Sequence, residues 1–297
     1  MKQSVKCIIS ILLCLMVVSG SLLLMVSLFL RTTLFSLEYY QEVIISVTYL
    51  KQVRQAIEAD LLAQSSYVDI PQEVLFAGLN DDKIYLLVSQ HLHTVIDYLN
   101  YRRPYTKASY PSGLFYDKLA AYMGKYAAEA GFKPSEDQMR LLQEVADDSA
   151  LIVSKHATLF DLDLIREMPL FQQIQSLLFR IADLAGSGLL VLGSALLGLL
   201  ILHLQQWRRW LFYDLIGFWL AGSLVMTPAI VLHGFGLTRR LSIGTAYLKY
   251  AVDHFLTNAN QFFIIRGSII FLLSSIGLII YFLASPSYRD KSRRHDN

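Results

Sequence analysis

The stretch that decides the fold is Cys7 to Leu30, CIISILLCLMVVSGSLLLMVSLFL, 24 residues without a charge, entered through Lys2 and Lys6. About 20 apolar residues suffice to cross a bilayer as helix, so this run predicts a transmembrane span. A cleaved secretory signal is the competing reading. Its apolar region is typically about 7–15 residues long and ends at a small-residue site. Here Ser19-Gly20-Ser21 falls in mid-run and the apolar stretch continues, so residues 1–30 read as a cytoplasmic tip and an uncleaved signal anchor.

Working outward, three further runs reach or approach the crossing length, at 186–204, 211–232 and 267–284. The whole 297-residue chain is 54% hydrophobic and only 17% charged, against about a quarter charged in a soluble domain. A formal charge of +2 without a long basic run argues against nucleic acid as a partner, because phosphate neutralisation needs clustered cations.

Orientation follows Lys and Arg near the span ends. Lys2 and Lys6 precede the first span, Arg208 and Arg209 lie between the second and third, and Arg289, Lys291, Arg293 and Arg294 follow the fourth. These fall on one side only with four spans, which predicts both termini in the cytoplasm and residues 31–185 and 233–266 outside. Arg239, Arg240, Lys249 and Arg266 in the short outer loop oppose that assignment. Residues 31–185 hold 14 Lys and Arg against 20 Asp and Glu, so the exported part is acidic and the remainder basic. Both cysteines, Cys7 and Cys14, lie in the first span, so no disulfide staples the exported part. A cysteine-free exported domain fits a Gram-positive-like bacterial exterior and excludes thiolate metal sites there.

Apolar residues at three- and four-residue steps predict an all-α exported domain inserted between spans one and two. One long helix is expected over Leu37–Ala63, ended by Ser65-Ser66 and Pro71. A short helix at Pro71–Gly78 comes next, then one capped by Asn80-Asp81-Asp82 and running to about Asn100. The prolines and glycine of 102–113 predict a loop, and helices are expected at about 114–130, 135–157 and 161–184, the last continuing into span two. Residues 186–297 then hold the other three spans, an outer loop with an amphipathic helix around Tyr247–Leu256, and the basic tail.

Span one followed by Tyr39-Tyr40, then Asp69-Ile70-Pro71-Gln72-Glu73-Val74 and Gly78-Leu79, then a helix with Val88 and Ile96-Asp97, resembles a group of uncharacterised bacterial four-span membrane proteins. Ile70 stands where their exported-domain signature has leucine. The resemblance covers the first third of the chain and implies a topology, with no activity and no functional residues to carry over.

The sequence lacks H-E-x-x-H, G-x-S-x-G, S-x-x-K, phosphate-loop, Rossmann and EF-hand patterns, which removes the common enzymes and names no catalytic residue or cofactor. His91, His93 and Asp97, and His156 with Asp161 and Asp163, resemble metal groupings. On one helix His93 and Asp97 share a face and His91 does not, two ligands where zinc needs three or four. These histidines therefore read as polar-face or core residues. The segment from Tyr98 to Tyr110 mixes four tyrosines with Arg102, Arg103 and Lys107, a composition suited to binding. Arg102, Arg103, Tyr105 and Tyr110 are the candidate contacts for an envelope protein, a glycan or an anionic wall polymer. A plain surface loop whose tyrosines pack back on the domain stands beside that reading.

Within the spans Asp214 is the one carboxylate, placed one turn into span three beside Arg208 and Arg209. Ser187, Ser194 and Gly198, and Gly217 with Ala221, form small-residue stripes suited to close helix packing, and Pro228 is expected to kink span three. Three functions remain open at this point. The first is a non-enzymatic envelope protein with a partner-binding exported domain. The second is a permease-like subunit of MacB/FtsX-type topology, for which the cytoplasmic segment Gln205–Trp210 is short. The third is a small-solute transporter or membrane enzyme.

Overall fold

The computed structural model describes residues 3–158, 162–235 and 244–284. Its regular elements are all helical: α1 (Gln3–Phe29), α2 (Leu37–Tyr39), α3 (Val47–Val68), α4 (Gln72–Phe76), α5 (Asp81–Leu99), α6 (Gly113–Ala130), α7 (Glu136–Ala157), α8 (Leu162–Ile165), α9 (Pro169–Asp183), α10 (Ala185–Leu202), α11 (Trp207–Gly234) and α12 (Ala246–Leu283). π-helical turns at Leu30–Leu34 and Tyr40–Ile44 flank α2. Four of the helices, α1 with its π-turn, α10, α11 and α12, are long and apolar enough to span a membrane.

The chain divides into two compact units. One comprises Met1–Leu34, Ile174–Leu241 and Phe255–Asn297, and the other Phe35–Gln173 with Ser242–His254.

In the first unit α1 packs on α10 and α11 around Val17, Ala195 and Leu199, with Leu13, Leu192, Trp210 and Phe218 closing the cluster. The approach is close because glycines face main chain. A Cβ on Gly20 would lie 3.0 Å from the Leu192 nitrogen, and one on Gly188 would lie 3.1 Å from the Leu24 nitrogen. Likewise α11 and α12 meet at Gly222, whose Cβ would stand 2.7 Å from the Phe271 nitrogen, and at Gly267, 3.0 Å from the Met226 nitrogen. Small residues thus let helices approach where lipid supplies no hydrophobic drive. Two buried hydroxyls bond main chain: Ser27 donates to the Ile181 carbonyl at 2.6 Å, and Ser10 to that of Lys6 at 2.8 Å.

The second unit is built on α3, whose Tyr49, Val53, Ile57 and Leu61, four residues apart, are fully buried. A side chain repeating every four residues stays on one helix face, and this face packs on α7, where Ala146 and Ala150 leave room. Burying a residue such as Ile57 or Phe115 is worth about 1.5–3 kcal/mol. Helix starts follow the caps. Ser46 accepts from the Tyr49 amide at 3.2 Å, Asn80 from Lys83 at 3.0 Å, and Ser135 forms a reciprocal capping box with Gln138. Gly131, at φ +74°, closes α6 in the left-handed region.

Several sequence expectations need correction. The helix expected over Leu37–Ala63 is interrupted at Ile45–Ser46, because Ser46 caps a new helix. That helix then runs through Ser65-Ser66, whose hydroxyls donate back to the Leu62 carbonyl, and ends at Asp69 in the left-handed region. The helix expected at 161–184 breaks before Pro169, which opens α9 as proline favours the first helical turn. The amphipathic segment near Tyr247 and the fourth apolar run form one 38-residue helix, since no proline lies between them. Pro228 sits inside α11 without ending it. Val43 and Ile44 side chains, Lys2, Asp161, Arg239, Arg240 and the basic tail 289–294 lie outside the described residues.

Candidate functional site

The loop singled out for its tyrosines and arginines leaves α5 through a sharp reversal. Tyr101 takes the left-handed region at φ 55°, the Tyr101 amide donates to the Tyr98 carbonyl at 3.0 Å, and Arg102 donates to that of Asp97 at 2.8 Å. These two bonds are the pattern that closes a helix when the residue after its cap is left-handed, a place usually held by glycine. The reversal carries both arginines back toward Asp97. The side chain of Asp97, 11% exposed, lies 3.3 Å from His93, 3.9 Å from Arg102 and 3.8 Å from Arg103, whose own side chains are 71% and 77% exposed. One largely buried carboxylate therefore anchors three groups whose outer ends face solvent.

The tyrosines behave oppositely. Tyr105 is 6% exposed and packs with Val95 and Leu162, edge-on to His91, with the Arg166 guanidinium 5.8 Å over its ring. Tyr110 is 3% exposed, lies against Phe115, donates its hydroxyl to the Gly78 carbonyl at 3.0 Å and accepts from the Asn80 amide at 3.0 Å. Its own amide donates to Ser154 at 2.8 Å. Both rings were candidate partner contacts, and the structure withdraws them into the core. Arg102 and Arg103 remain at the surface. Burial pushes the Tyr110 hydroxyl above the usual phenol range; the Asn80 amide opposes that shift and nearby Asp81 adds to it.

Beside the loop lies an open depression of about 390 Å³, lined by Ser89, Gln90, His93 and Thr94 of α5 and by Thr106, Lys107 and Ala108. Hydroxyls, a carboxamide, an imidazole and an ammonium line its wall. The Lys107 ammonium is 3.9 Å from Asp163, which Arg166 also approaches at 3.4 Å.

The histidine groupings resolve differently from their sequence neighbourhoods. His91 is 1% exposed in the core, whereas His93 is exposed and meets the largely buried Asp97. His156, 7% exposed, meets Asp60 at 2.7 Å and the Tyr247 hydroxyl at 3.3 Å; Asp163 pairs instead with Lys107 and Arg166. Among the described residues no three such side chains are placed to hold a metal ion.

In the first unit Asp214 is 6% exposed, with one carboxylate oxygen lacking a hydrogen-bond partner. A Cβ on Gly198 would lie 3.1 Å from Leu13, and one on Gly217 2.9 Å from Val17; Ala221 is 1% exposed. Ser194 and Ser187 face outward, and Ser194 donates to the Val191 carbonyl of its own helix at 2.9 Å. Beside Gly198, that span also makes a close main-chain contact at Gly188, which the small-residue stripe read from the sequence does not include. Cys7 is exposed, while Cys14 is buried and donates to the Tyr213 carbonyl at 3.5 Å. Comparison with known protein families, characterised proteins and solved structures gives no match, so the chain's own residues carry the functional reading.

Proposed function

We propose that this chain is a multi-pass protein of a bacterial cell membrane, with both termini cytoplasmic and residues 31–185 exported as a helical domain that binds an anionic wall polymer. The group of four-span proteins it resembles has the same expected topology. The observation that carries the binding reading is the cluster of basic side chains beside the reversal at Tyr101, where His93 and Lys107 line an open depression and Arg102 and Arg103 stand exposed nearby. Phosphate or carboxylate groups repeated along a polymer would engage several of these cations at once, a geometry that rewards multivalency.

The test uses the full chain in detergent micelles and a poly(glycerol phosphate) probe. Retention on the immobilised polymer should fall at least tenfold in Arg102→Ala/Arg103→Ala/Lys107→Ala, with helix content unchanged because all three side chains are substantially exposed. Equal retention would overturn the reading. Reporter fusions at Ser109 and at the C-terminus test the orientation, and an external C-terminus would invert it.

A solute-transport reading has one observation in its favour, the buried Asp214 with an unpaired oxygen in an apolar helix. Asp214→Asn should leave polymer retention unchanged and abolish any solute flux. The permease-subunit alternative is weakened by length, since only His203–Gln206 separate α10 from α11, too few for a coupling helix.

A further inference from the structure

At 100° per residue the surface of α9 divides into three arcs. Phe171, Gln175 and Ala182 turn inward: Gln175 and Ala182 are 5% and 4% exposed, and Phe171 packs on the cluster of Val95, Tyr105 and Leu162. A second arc is polar, with Gln172, Ser176, Arg180 and Asp183. The third is apolar and open to the outside, with Leu170 67%, Ile174 46% and Leu177 57% exposed. A water-facing helix would place polar residues on that third arc, and a core helix would cover it.

What covers it follows from the chain's continuation. Only Leu184 separates α9 from α10, and α10 is one of the four helices able to span a membrane. The exposed apolar surface of α9 is continuous in sequence with that of α10, where Leu190, Leu197 and Ile201 are 73%, 59% and 66% exposed. The 18 residues of α10 already rise about 27 Å, close to the roughly 30 Å hydrocarbon thickness, so no apolar depth remains for α9. A helix with one apolar and one polar arc, placed directly at the end of a span, has the character of an interfacial helix.

We infer that α9 lies in the membrane interface, with Leu170, Ile174 and Leu177 seated at the boundary between lipid headgroups and acyl chains and the polar arc facing water. The inference rests on α10 being a membrane span, and the experiment separates the two.

Single cysteines replace Leu177, Ser176 and Leu197 in the full chain with Cys7→Ser, are labelled with an environment-sensitive fluorophore and are reconstituted in vesicles; the background protein, with only the buried Cys14, serves as the blank. Quenchers are bromine on lipid acyl chains near the headgroup or at mid-chain, and aqueous iodide. The expected result is that the Leu197→Cys probe responds to mid-chain bromine, the Leu177→Cys probe at least twofold more to shallow bromine than to iodide, and the Ser176→Cys probe the reverse. A Leu197→Cys probe quenched by iodide alone would remove the span and the inference with it. If that probe responds to lipid but the Leu177→Cys probe is quenched by iodide, or by neither while cross-linking to a second copy, the span stands and the interfacial assignment is overturned.

Discussion

Replacing Tyr110 with phenylalanine removes one oxygen and no apolar surface, so its effect isolates the two hydrogen bonds that tie the loop to the start of α5. The Gly78 carbonyl is buried and loses its donor. Leaving a buried polar group unsatisfied costs about 1–3 kcal/mol. Asn80 is exposed, so its amide exchanges the lost acceptor for water and forfeits only the net worth of a hydrogen bond, about 0.5–1.5 kcal/mol. Together the substitution should destabilise the segment from α4 to the first turn of α5 by about 1.5–4.5 kcal/mol, a factor of roughly ten to two thousand in its opening equilibrium. Hydrogen exchange of peptides covering residues 75–88 in the full chain reads that opening directly. Tyr67→Phe, at an 89% exposed ring, is the control and should leave exchange unchanged. If Tyr110→Phe exchanges within threefold of the parent, the hydroxyl does not hold the loop and the view of Tyr110 as a structural pin is wrong.

Tyr40, Tyr49 and Tyr110 all have hydroxyls pushed above the phenol range, in each case chiefly by burial. Because the folded values are raised, their contribution to stability is complete below about pH 10 and is lost as pH rises further. Phenolate absorbance should therefore show a late phase coincident with loss of helix; complete ionisation near pH 10 with intact circular dichroism would contradict it. Gly222→Val should lower detergent thermal stability by about 1–3 kcal/mol, as overpacking does, while Gly193→Val, whose added Cβ meets nothing within 4 Å, should not. Equal melting of the two would refute the close approach of α11 and α12. Tyr101→Gly should stabilise the end of α5 by about 1 kcal/mol, since it relieves a left-handed side chain, and slower exchange of residues 95–102 would register it. A chelator should leave melting unchanged, and a downward shift would revive a metal site.

The long apolar runs were legible because a span leaves an unbroken signature in composition, and they are helices. Their ends were less legible. Arg208 and Arg209 set the start of span three at residue 211 in the sequence, yet a helix tolerates charges at its end, and α11 begins at Trp207. The fate of Tyr105 and Tyr110 was hidden because a loop has no period from which to read which way a ring turns. The Asp60 to His156 contact joins residues far apart in sequence, which no local pattern reports. Asn80 and Ser135 were read correctly as helix starts, since a cap acts on its own next turn and needs no tertiary partner.

The glycine pairs carry a consequence for how this sequence can change. At Gly20 with Gly188, and at Gly222 with Gly267, a methyl group on either helix meets the main chain of the other. A clash with a side chain can be cured by a smaller neighbour, but peptide nitrogen and carbonyl oxygen are the same whatever residue stands there. Neither member of a pair therefore has a compensating substitution, and second-site suppressors of Gly222→Ala should arise by shifting a whole helix, never at the contacting residue.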